Sequence, residues 1–79
     1  MAKSTFTRKH EHFRALLAEA RKSAGLTQVT LAKKLGRPQS FVSKFESGER
    51  RLDVIEFLEV VHALEIEPGT IIAEVERRK

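Results

Sequence analysis

The chain has 79 residues, of which 41% are apolar and 33% charged, with a formal net charge of +4 and no cysteine. That is enough for one small globular domain with a marginal core. Without thiols it can hold neither a disulfide framework nor a thiolate metal site, and no apolar run approaches the ~20 residues that span a bilayer. With no apolar signal region at the N-terminus, a cytoplasmic protein that does not touch membranes is expected.

Residues 1–9, MAKSTFTRK, show no apolar periodicity and carry Lys3, Arg8 and Lys9, which predicts a mobile basic arm ahead of a domain over residues 10–79. Two other fates are open: the arm could track a DNA backbone, or Phe6 could fold back on the core. A first helix is expected from about Lys9 to Ala24, because Phe13, Leu16, Leu17 and Ala20 fall at i, i+3, i+4 and i+7 and Gly25 follows. His10 and His12 stand two apart, so on a helix they point in different directions, and no third ligand lies nearby. No metal or cofactor is expected.

A second helix is expected from about Gln28 to Leu35, capped by Thr27 and closed by Gly36 in the left-handed conformation that helix ends favour. Leu31, Ala32 and Leu35 give it one buried stripe. A third helix should start around Pro38, since proline suits the first helical position and pushes Arg37 into an extended conformation. Within it Pro38, Val42 and Phe45 share an inward face, while Gln39, Ser40, Ser43, Lys44 and Ser47 form a second stripe without a carboxylate. Amide, hydroxyl and ammonium groups on a helix that fits the major groove are the kind that read base edges.

Arg50 and Arg51 precede a fourth helix over about Val54 to Leu64, with Asp53 and Glu56 in a D-x-x-E capping box. Arginines beside a helix N-terminus suit a phosphate site. The expected inward residues are Val54, Phe57, Leu58, Val61 and Leu64, with Glu56 and Glu59 facing away. Pro68 opens a last helix through about Arg77, whose Ile71, Ile72 and Val75 exceed what so short a terminal helix needs for docking. They are expected to be divided between the core and a partner subunit. Charge is unevenly spread: residues 1–51 hold twelve Lys/Arg against four Asp/Glu, a net of +8, and residues 52–79 hold three against seven, a net of −4. A positive field around the helix pair is the footprint of a nucleic-acid binder; a lysine-rich solvated surface is the alternative.

The run Leu26 to Arg51, LTQVTLAKKLGRPQSFVSKFESGERR, resembles the helix-turn-helix core of the Xre and lambdoid phage repressor (Cro/C1-type) family, and the resemblance extends over roughly Ala15 to Leu64. It implies an all-α, compact five-helix, lambda-repressor-like domain whose third helix enters the major groove of double-stranded DNA. Three departures stand out. Val29 and Thr30 replace acids, so a capping box on the second helix is expected to be absent; Pro38 replaces a capping serine or threonine; and Arg51-Leu52 replaces asparagine-proline, adding positive charge where phosphates are expected. The resemblance also implies that Arg21 pairs with Glu46, and Glu46 is in any case the sole acid between Glu19 and Glu49. Base reading falls to Gln39, Ser40, Ser43 and Lys44, phosphate contacts to Thr27, Gln28, Arg37, Arg50 and Arg51, and a homodimer interface to Ile71, Ile72 and Val75.

The function expected is a sequence-specific transcriptional regulator, a repressor because so short a chain leaves no room for an activation or sensing domain, bound as a homodimer to an inverted-repeat operator. No enzyme is expected: the sequence has no glycine-rich phosphate loop, and its histidines lack placed acids and a nucleophile. A protein-interaction module such as an antitoxin with a protein partner, or the controller of a restriction-modification operon, shares the same structural reading.

Overall fold

Five helices account for all the regular structure among residues 7–78, the part of the chain that the computed structural model describes. In order they are α1 (Arg8–Ser23), α2 (Gln28–Leu35), α3 (Gln39–Ser47), α4 (Val54–Leu64) and α5 (Pro68–Arg77). The Thr7 hydroxyl caps α1 by accepting from the His10 N–H, so the helix begins inside the stretch expected to be an arm, and Arg8 and Lys9 belong to its first turn. Lys3 and Phe6 lie outside the described residues.

α2 and α3 pack against each other as the helix-turn-helix pair, α1 crosses α3, α4 and α5, and α2 also rests on α4. Their shared core holds Leu17, Leu31, Val42, Phe45, Val60 and Val61, each at most 2% exposed. Around it Phe13, Phe41 and Phe57 extend the packing, with Phe13 tilted against Phe57 at 5.6 Å and Phe41 edge-on to Phe45 at 5.6 Å between ring centroids.

Several expectations about which residue turns inward are corrected here. Pro38 is the N-cap of α3, with ψ at 155° outside the helical region, and it is exposed; the place on the inward face belongs to Phe41. α2 does carry a capping box: the Thr27 N–H donates to the Thr30 hydroxyl at 2.8 Å and the Thr30 N–H to the Thr27 hydroxyl at 3.0 Å. A threonine at the third helical position thus takes the role of the missing acid. In α4 the first turn hangs outward, leaving Val54 71% and Ile55 64% exposed, while Glu56 turns in and Val60 joins the core. Ile71 is also a core residue, 5% exposed, because α5 lies on α1 with that side down, which removes it from any subunit interface.

Candidate nucleic-acid interface

The third helix is held by one carboxylate. Glu46 of α3 lies across from α1, where Arg21 Nε donates to its Oε2 at 2.7 Å and Nη2 to its Oε1 at 3.1 Å. Arg21 Nη1 donates in turn to the Leu26 carbonyl at 2.9 Å. Both side chains are about 90% buried, and the hydrogen bond that Arg21 donates to Glu46 is the main cause holding the guanidinium pKa above its ordinary value. Such a bidentate pair fixes angle as well as distance, so α1 sets the tilt of α3.

A third donor reaches the same acid. Gln28, at the start of α2, donates from Nε2 to Glu46 Oε1 at 2.9 Å, and this orients its amide so that Oε1 accepts from Gln39 Nε2 at 3.4 Å. The chain Arg21, Glu46, Gln28, Gln39 therefore runs from the buried side of the motif to its exposed face. Gln39 keeps its own Oε1 and a second amide hydrogen, the acceptor and donor that a glutamine presents to adenine in the major groove. Ser40, Lys44 and Ser47 are exposed beside it and Ser43 is half-buried. The Ser43 hydroxyl donates to the Ser40 carbonyl at 3.3 Å, and that of Ser47 to the Lys44 carbonyl at 3.2 Å.

Of the residues expected on phosphates, Thr27 is exposed at the start of α2 and Gln28 is half-buried in the network above. Arg51 is exposed. Arg37 and Arg50 are instead engaged with α4. Arg50 Nη1 and Nη2 donate to the two oxygens of Glu56 at 2.9 and 2.7 Å, and Arg37 Nη2 donates to Glu59 at 3.1 Å. The Arg50 hydrogen bonds, ahead of that from the Asp53 N–H, hold the Glu56 carboxyl down to about 2. Glu56 was expected to face solvent. It turns inward because its carboxylate closes the α4 capping box, accepting from the Asp53 N–H at 3.0 Å, and the same oxygens then meet Arg50.

Two further placements escaped sequence reasoning. The turn after α3 passes Gly48 at φ +91°, and the Arg14 guanidinium of α1 lies where a β-carbon at Gly48 would stand. The spacing of Arg14 and Arg21, seven apart and so on one face of α1, was a usable signal. A shallow groove of about 590 Å³ between α1, α4 and α5 is lined mainly by apolar side chains, among them Phe13, Leu52, Val54, Ile72 and Val75. Among the described residues no cluster of His, Asp or Glu suits a metal ion, and no helix is long and apolar enough to cross a membrane.

The helix-turn-helix family model matches residues 17–71. Among solved structures the chain is similar to an XRE-family like protein from Pseudomonas syringae pv. tomato, with 48% identity, 86% of this chain and 83% of that one covered, and a TM-score of 0.82. It is similar as well to the restriction-modification controller protein C.AhdI from Aeromonas hydrophila, at 37% identity, with 76% and 91% of the two chains covered and a TM-score of 0.71. No curated protein matches it.

Proposed function

Since this chain belongs to the helix-turn-helix family of Cro/C1 (Xre) type and is thereby a DNA-binding transcription regulator, we propose that it is a repressor that binds an inverted-repeat operator as a homodimer. The observation that carries this reading is the exposed face of α3, where Gln39 is oriented through Gln28 by the same carboxylate that fixes the helix. Gln39, Ser40, Ser43 and Lys44 read base edges in the major groove. Arg51, Thr27 and Gln28 approach phosphates on either side, the last two at the N-terminal end of α2. Repression asks only that a promoter be occupied, whereas activation needs a further contact surface.

A single α3 reads a few base pairs, too little to single out one site among a genome's competitors. Doubling the reader supplies the missing information, and the apolar surface for it lies on α4 and α5. Val54 and Ile72, 71% and 55% exposed, line the groove with half-buried Val75, Ile55 in the first turn of α4 is 64% exposed, and no α3 residue lines that groove, although Arg51 does. Isologous pairing there brings two α3 helices to successive major grooves, with half-sites about 34 Å apart. Selection of bound duplexes from a random library tests this directly. An enriched inverted repeat bound by two chains supports the reading, and enrichment of no sequence, or of a single half-site bound by one chain, overturns it.

A second reading, the controller of a restriction-modification operon, is favoured by the 37% identity to C.AhdI over nearly all of that protein. Restriction and methyltransferase genes adjoining this one, with the selected operator in front of them, would decide for it.

A further inference from the structure

The arginines that flank α3, Arg37 ahead of it and Arg50 behind it, converge on one acid. Arg50 makes a bidentate pair with Glu56 and also donates from Nη1 to the Arg51 carbonyl at 3.1 Å. Arg37 Nη1 lies 4.0 Å from Glu56 Oε2 while its Nη2 is held by Glu59. The two guanidinium carbons stand 4.5 and 5.0 Å from the centroid of the same Phe41 ring. Glu56 cannot readily swing away, because its carboxylate is pinned to the Asp53 N–H and its side chain is 11% exposed. Arg50 and Arg37, by contrast, are 41% and 33% exposed. Two cations beside the reading helix are thus matched by two anions, and the set is neutral.

A phosphate recognises a guanidinium with the same forked geometry that Glu56 already provides. On the DNA-binding reading, on which this rests, we infer that Glu56 is an intramolecular competitor for phosphate: it holds Arg50, and with Glu59 also Arg37, back from the backbone and so limits sequence-independent affinity. Sequence-independent binding scales with the number of phosphates neutralised, each adding about 0.9 to the slope of log K against log salt. Every arginine withheld lowers the background against which α3 must discriminate.

The test is binding of a labelled random-sequence duplex at several salt concentrations. Glu56→Gln keeps an oxygen for the Asp53 N–H but gives up the charge. It should bind up to about eightfold more tightly at 0.1 M salt and steepen the slope by about 1. Glu65→Gln, the same charge change at an exposed site, should leave the slope alone, and Glu56→Gln combined with Arg50→Gln should return it to the wild-type value. If Glu56→Gln proves unfolded, the exposed Glu59→Gln takes its place and should steepen the slope through Arg37. A slope unchanged or flattened in the folded variant, with wild type binding normally, overturns the inference alone, and a flattened one makes Glu56 a support for phosphate contact. Wild type that binds no duplex at any salt overturns the DNA-binding reading and this inference together.

Discussion

Glu46→Ala is the substitution whose consequence is best defined by the geometry. It deletes a carboxylate that accepts from Arg21 Nε, Arg21 Nη2 and Gln28 Nε2 at 2.7, 3.1 and 2.9 Å, and leaves a guanidinium that is only 10% exposed without a counter-charge. Removing one member of a buried ion pair costs about 3–5 kcal/mol. The low end applies, about 3 kcal/mol, because Arg21 keeps its bond to the Leu26 carbonyl. At about 4–8 °C per kcal/mol for a domain of this size, the melting temperature should fall by about 12–24 °C. Thermal unfolding followed by far-UV circular dichroism measures that fall, and urea unfolding measures the free-energy loss. Replacing Arg21 and Glu46 together by leucine should cost much less than Glu46→Ala, since no stranded charge remains. A loss below about 1 kcal/mol, the range of exposed pairs, would refute the claim that this pair sets α3 on α1.

The Glu56 carboxyl, lowered from 4.5 to about 2, should stabilise the fold fully above pH 4.5 and lose that contribution as pH falls toward 2. The melting temperatures of wild type and Glu56→Gln should therefore converge over that interval, and a constant gap would exclude the linkage. Gly48→Ala must place a side chain at φ +91° against the Arg14 guanidinium, and should destabilise by at least about 1–2 kcal/mol in the same urea assay. In titrations with operator and random duplex, Gln39→Ala should weaken the operator alone by about 1–3 kcal/mol, while Arg51→Gln should weaken both and flatten the salt slope by about 1. Arg50→Gln in the wild-type background should change that slope little, its charge being already engaged by Glu56. Ile72→Glu should give helical monomers by sedimentation and a sharply weakened operator complex; dimers that persist would move the interface elsewhere.

The bounds of α2, α4 and α5 agree with those read from the sequence, since capping residues, proline at a first turn and apolar period are local properties of the chain. Capping chemistry was less legible: the Thr30 hydroxyl supplies a function usually sought in an acid, and only the bond lengths reveal it. The exposed stripe of α3 could be read from periodicity, and the partner of Glu46 from family resemblance together with the scarcity of acids around it.

What the tertiary structure alone decided is which of several apolar or charged candidates meets which neighbour. Periodicity proposed Val54 and Pro38 for the core, and the packing of α4 and α3 against the other helices took Val60 and Phe41 instead. Arg37 and Arg50 read as phosphate contacts from their signs and places in the chain, yet both lie within reach of the same α4 carboxylate. Local residue preferences determine where a helix starts and stops, because its hydrogen bonds close within a few residues. The rotation of that helix about its axis, and the destination of a long charged side chain, depend on surfaces that arrive from 20 or more residues away, as Glu59 does for Arg37 and Glu46 for Arg21.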